Sequence, residues 1–257
     1  MGTFMLLEHV SPFATGPIFP VTDELCDLRL VRTRPRTYLH ALAHYLDASP
    51  TKRRQIIDNE KYPSPYRVSY WPAKQLFREA IRLNWDEETL FSVAADRWFS
   101  GPAASALADF RRRQTMDALA EFCSLLEPLK QRLKTLNATV RLPGRLWTPL
   151  SLGGVLVADS PSLILRRSHC GTDQVGVLSF HVAKTKTHNL ESAKRAAALL
   201  VTLAAENKTA NTILVPELCI VVDIHSGLIV DGNRGNRRRM RLAKHGCREI
   251  AAIWDEL

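Results

Sequence analysis

The feature that most restricts the folds open to this chain is a change of pattern near residue 137. Up to about Leu136, apolar residues recur at three- and four-residue intervals and the breaks between them carry prolines. From Asn137 onward, β-branched runs bounded by glycine take over, in ATVRL, GGVLVAD, SLILRR and VGVLSFHVA. The first pattern suits amphipathic helices and the second suits short strands. The chain is therefore expected to be an α+β protein, with a mainly helical portion over 1–136 and an α/β core over 137–257. At 257 residues and 46% apolar, it has enough side chains to bury a sizeable core.

Within the first portion, one helix is predicted after Pro35 with Tyr38, Leu39, Leu42 and Leu46, a second after Pro50, and a third from Pro72 with Leu76, Ala80 and Leu83 inward. Between the last two, KYPSPYRVSYWP reads as a structured loop whose aromatics either pack on a surface or face a ligand. A long helix or helix pair follows Pro102, carrying Met116, Leu119, Cys123 and Leu126, and Pro128 is expected to kink or interrupt it. In the second portion, Asn189 is an N-cap candidate for a helix with Leu190, Ala193, Ala197, Leu200 and Ala204 on one face. ELCIVVDIHSGLIVDG reads as two strands joined at Ser226 and Gly227. The final helix directs Met240, Ala243, Cys247, Ile250 and Trp254 at the core.

Composition narrows the function classes. No apolar run reaches the roughly 18 residues of a membrane span, and MGTFMLLEHVSPF lacks the basic start of an export signal, so a cytoplasmic protein is expected. The five cysteines are odd in number, widely spread and form no CxxC pair, which argues against a disulfide framework or a zinc ribbon and for buried thiols. A net charge of +9 favours a polyanionic partner, nucleic acid first.

The strand GVLSFHVAKTKT, Gly176 to Thr187, sits in a stretch with no acid between Asp173 and Glu191. The element order over Thr139 to Trp254, with three strands, a helix, a strand and a final helix, resembles the core of the PD-(D/E)XK nuclease superfamily, its RecB-like members in particular. That resemblance implies a restriction-endonuclease-like fold, in which a Pro-Asp and an acid-x-Lys hold a divalent metal that polarises the scissile phosphate. Here the matching positions are Pro161-Ser162 and the neighbourhood of Val177 and Ser179, so the acids and the lysine are missing. A hydroxyl and a valine cannot serve a hard cation that needs anionic oxygen. A displaced site is conceivable around Asp159 and Lys184, with Glu121 or Asp223 as the second acid; magnesium or manganese would belong to that alternative only.

The run RGNRRRMRLAKHGCR contains no acid from Gly232 to Arg248. On a helix, Arg237, Arg241, Lys244 and Arg248 recur at four, three and four residues and form one basic stripe suited to phosphates, unless they pair with acids elsewhere in the fold. Arg111 to Arg113 point around a helix rather than to one side.

Two histidine groups read as structural. HALAH, with His40 and His44, has the spacing of two zinc-binding histidines, but Ala41 stands where HExxH carries its general base, so a packing or surface pair is expected. His169, Cys170, His181 and His188 follow no standard metal spacing. No GxSxG, phosphate-binding glycine loop or dinucleotide fingerprint occurs, and DGNRGN, Asp231 to Asn236, reads as a turn into a helix.

The reading that follows is a nucleic-acid-binding protein, DNA foremost, with a catalytically degenerate nuclease-like core, no enzymatic activity and no cofactor. Its expected binding residues are Lys184, Lys186, Arg237, Arg241, Lys244 and Arg248. Two alternatives stay open: an active metal-dependent nuclease with a displaced site, and a protein interaction module of a mobile-element or defence system.

Overall fold

Nine short or long runs of sheet-forming residues pair into two sheets packed against helices, in a computed structural model that describes residues 31–63, 70–103, 105–144, 147–233 and 235–257. The N-terminal segment, Cys26, the middle of KYPSPYRVSYWP and Arg234 lie outside the described residues. The first portion comprises β1 (Arg36–Tyr38), α1 (Leu39–Tyr45), α2 (Pro50–Lys61), α3 (Trp71–Leu83), α4 (Glu87–Ala94), a π-helical turn (Ala95–Phe99) and α5 (Ala106–Thr135). The second comprises β2 (Thr139–Arg141), β3 (Leu150–Leu152), β4 (Val155–Ala158), β5 (Leu163–His169), β6 (Thr172–His181), α6 (Leu190–Asn207), β7 (Ile213–Leu214), a 3₁₀ turn (Pro216–Leu218), β8 (Ile220–Asp223), β9 (Leu228–Asp231) and α7 (Asn236–Trp254). The protein is thus α+β.

The main sheet has the order β2-β5-β6-β8-β9, with β7 pairing the start of β6. β2, β5 and β6 are antiparallel neighbours, β8 joins β6 in parallel after the α6 crossover, and β9 returns antiparallel at the turn that includes Ser226 and Gly227. A small second sheet, β1-β4-β3, pairs Arg36–Tyr38 in parallel with Leu156–Ala158. Tyr38 is therefore in a strand and not in the helix predicted after Pro35, because a partner strand some 120 positions away supplies hydrogen bonds that local periodicity cannot reveal.

Several helices differ from expectation in detail. α5 runs unbroken through Pro128: Pro128 and Ser124, whose carbonyl loses its partner, face solvent, while buried Leu125, Leu126 and Leu129 hold the adjacent turns in the core. Met116, Leu83 and Leu190 are exposed at 38%, 47% and 51%, so they stand outside the buried stripes predicted to include them. The Asn189 cap forms, its side chain accepting from Ser192 N at 2.8 Å. Cys219 and Cys247 are buried thiols, but Cys170 is exposed on the β5–β6 turn.

Alternation along the central strands decides what each face meets. Leu178, Phe180 and Val182, with Ile220, Val222 and Ile224, pack under α3, α4 and α5, where Phe77, Phe122 and Phe180 hold their rings 4.2–5.7 Å apart. On the other face, Val177, Cys219 and Val221 meet α1, α6 and α7. Both apolar clusters draw residues from each side of position 136. Gly246 allows α7 to close on α1, since a Cβ there would stand 2.6 Å from Leu46 Cδ2.

Candidate functional site

The second face of β6 turns polar toward its C-terminal end, where Ser179 and His181 follow Val177 in the two-residue period. β8 does the same, Asp223 following Val221, and His181 and Asp223 are register neighbours in the parallel pair. α1 lies across this end of the sheet and delivers His40 and His44, one helical turn apart. The loop between β6 and α6 brings back His188, whose N–H donates to Asp223 Oδ2 at 2.6 Å; Asp223 Oδ1 also accepts from Ser226 N at 3.1 Å. Asp223 thus fastens the His188 loop to the end of β8.

The result is a packed group of imidazoles. His44 stacks on His188 at 4.2 Å, His40 stacks on His181 at 4.5 Å, and the remaining ring pairs are 4.5–5.5 Å apart. Among the described residues, His40, His181 and His188 are the one set of three or more histidine, cysteine or acidic ligand atoms close enough to share an ion, all within 4.8 Å of one another. All three are buried. His44 is half-buried, its Nε2 has no hydrogen-bond partner among the described residues, and it lines a pocket of about 300 Å³ with Ser49, Lys52, Thr185, Lys186 and Thr187.

Hydrogen bonding fixes most of the protons. His181 Nε2 stands 2.6 Å from the Lys186 carbonyl, which can only accept, so the proton sits on Nε2 and Nδ1 carries a lone pair. Ser192 Oγ donates to Asn189 O at 3.0 Å and therefore accepts from His188 Nδ1 at 3.1 Å, which leaves His188 Nε2 bare. His188 Nε2 faces His40 Nδ1 at 2.9 Å. His40 Nε2 lies 3.2 Å from Ser179 Oγ, which in turn is 2.8 Å from Asp159 Oδ2.

Ser179 has one proton to give. If Asp159 is a carboxylate, Ser179 donates to it, His40 Nε2–H donates to Ser179, and the Nδ1 of His40 presents a second lone pair to His188. If Asp159 carries a proton, each group passes one along and His40 Nδ1–H donates to His188. Burial raises the Asp159 carboxyl above its usual range, against the pull of Lys74 on α3 and the Ser179 hydrogen bond.

Burial likewise keeps the imidazoles neutral. His44 and His181 are lowered to about 4 and His188 to about 2, each chiefly by desolvation and then by its neighbours; His40 is lowered well below 6.5 by burial, His181, His188 and Lys74. Neutral imidazole is the form that can ligate a metal.

The sites expected from sequence separate into two groups. Asp159 is at the cluster; Glu121 is exposed on α5, and Asp223, at the end of β8, accepts from two backbone N–H groups. Three neutral nitrogens do not suit magnesium or manganese held by carboxylates. Lys184 forms an ion pair with Asp117 at 3.1 Å, while Lys186 is exposed beside the His44 pocket.

Arg237, Arg241, Lys244 and Arg248 are exposed and form no ion pair among the described residues. They span about 60° of the α7 surface, beside the stripe of Ala243, Cys247, Ile250 and Trp254 and centred about 120° around the helix from it. The neighbouring Arg239 is different: it is half-buried and within 3.6 Å of Glu191.

The expected packing pair of His40 and His44 is part of a larger packed group. His40 and His44 join His181 and His188, whereas His169 and Cys170 lie at the opposite end of β6, about 30 Å away by strand rise. Lys74 and Ser192 carried no sequence signal. The signal that did exist was HALAH itself, whose i,i+4 pair is what one helix can offer to a shared centre. No protein-family model matches the chain, and no curated protein matches it in sequence.

Proposed function

We propose that this protein binds nucleic acid, duplex DNA foremost, on the exposed face of α7, and that it does so without carboxylate-dependent cleavage. The observation that carries this reading is the four-cation face of Arg237, Arg241, Lys244 and Arg248, none of them engaged by an acid among the described residues. Arginine forks can donate paired hydrogen bonds to phosphate oxygens, and each phosphate neutralised releases counterions. Lys186 and Lys52, which line the His44 pocket, add positive charge at the sheet end.

A degenerate restriction-endonuclease-like core is part of the same proposal. It is supported by the antiparallel run β2-β5-β6, with β3 and β4 of the small sheet inserted between β2 and β5, followed by the α6 crossover to the parallel strand β8. A cytoplasmic location goes with such a partner.

Filter binding across a salt series tests the reading. Replacing Arg237, Arg241 and Lys244 together by glutamate should abolish retention of labelled duplex; unchanged affinity would overturn the assignment of the face. Incubation of the wild type with magnesium or manganese should leave supercoiled DNA intact, and cleavage that Asp159→Asn removes would establish the nuclease alternative instead.

A further inference from the structure

We propose that His40, His181 and His188 form a binding site for one first-row transition-metal ion of the zinc class, and not for magnesium or calcium. The inference is independent of the nucleic-acid reading and rests on three features of the cluster.

The first is convergence from separate elements. One ligand comes from α1, one from the end of β6 and one from the loop before α6, and their nitrogens stand within 4.8 Å of one another. Two nitrogens bound at about 2.1 Å to one ion are about 3.0 Å apart at a right angle and about 3.4 Å apart at the tetrahedral angle. The His40–His188 separation of 2.9 Å already lies at that scale.

The second is the outer shell. A ligating histidine usually donates its other N–H to a carbonyl, carboxylate or hydroxyl, which fixes the tautomer and aims the ring. Here His181 is held by Lys186 O, His188 by Ser192 Oγ, and His40 by Ser179 Oγ backed by Asp159. With Asp159 ionised, all three inner nitrogens carry lone pairs. A shared proton could bridge His40 and His188 but could not also serve His181. One metal ion serves all three.

The third is donor type. Three neutral imidazoles select zinc, copper, nickel or cobalt over hard cations, which need oxygen ligands to offset their dehydration. The ion class implied by the nuclease resemblance therefore does not fit these residues.

The full chain, prepared with no added histidine tag and stripped with a chelator, should bind one equivalent of zinc by calorimetry. Cobalt(II) should give a saturable visible d–d absorption that zinc displaces, and millimolar magnesium should compete with neither. His181→Ala and His188→Ala should each weaken zinc binding by more than about 100-fold, and Ser179→Ala or Ser192→Ala, which act through ligands, by about 10- to 100-fold with an altered cobalt spectrum. His169→Ala should change nothing. Failure of the natively folded wild type to bind zinc or cobalt would overturn the proposal, as would one-equivalent binding unaffected by loss of both His181 and His188. Because the wild-type titration decides on its own, variants that fail to fold do not shield the proposal.

Discussion

His40 Nδ1 and His188 Nε2 face each other at 2.9 Å although 148 positions separate them in the chain. With His44 and His181 they make a packed group of neutral bases that joins α1 to the end of β6. Such a group ties folding to pH. In the unfolded chain each histidine titrates near the ordinary 6.5, whereas in the folded chain His44 and His181 titrate near 4 and His188 near 2.

Between those values the unfolded state holds more protons, so stability is present above pH 6.5 and drains away as pH falls toward 4. Each such histidine contributes a slope of up to about 1.4 kcal/mol per pH unit. Thermal melts of the chelator-treated protein should show a midpoint several degrees lower at pH 5.5 than at pH 7.5. Asp159, raised by burial, acts in the opposite sense, so the comparison with variants carries the test: His188→Gln and His181→Gln should flatten the dependence. Parallel curves for wild type and both variants would contradict it.

The helical portion should not be separable from the sheet. Phe77 and Phe122 meet Phe180 of β6 edge-on, at 5.4 and 5.7 Å, and β4 is paired by β1 from residues 36–38. Phe122→Ala is expected to cost about 3–5 kcal/mol in urea unfolding. A fragment starting at Asn137 should give a poorly dispersed NMR spectrum; a cooperative melt of that fragment would show that the core stands alone.

Gly176 should tolerate no side chain. A Cβ there would lie 2.3 Å from both Cβ and O of Leu218, in backbone that cannot retreat without disturbing the β6–β8 pairing. Gly176→Ala is expected to destabilise by about 3 kcal/mol or more. A denaturation midpoint within error of wild type would contradict this close approach.

The N-cap of α6 makes a smaller, additive case. Asn189→Ala removes the side-chain acceptor of Ser192 N and should cost about 1 kcal/mol, while the backbone carbonyl of residue 189 still receives the Ser192 hydroxyl. Stability should fall while the His188 environment, followed by histidine NMR shifts, stays in place.

Local chemistry made part of this legible from sequence. The Asn189 cap, the reversal at Ser226 and Gly227, and the buried stripe from Ala243 to Trp254 each rest on residues within a turn or two of one another. What could not be read depends on distant partners. The pairing of Tyr38 with Ala158 turns a helical-looking segment into a strand, and solvent exposure of Pro128 lets α5 continue. The histidine cluster was hidden for the same reason: HALAH lacks the acid of a metalloprotease motif, and its partners follow after more than a hundred residues. The strand GVLSFHVAKTKT, which lacks acids, directs Ser179 and His181 at the cluster.

The most direct measurement of the central claim is the salt dependence of duplex binding by the wild type and by a variant with Arg237, Arg241 and Lys244 all changed to glutamine. If three phosphate contacts are lost, the plot of log affinity against log salt should become shallower by about 2 to 3, with weaker binding at every salt concentration. An identical slope and affinity for the two proteins would contradict binding through the α7 face.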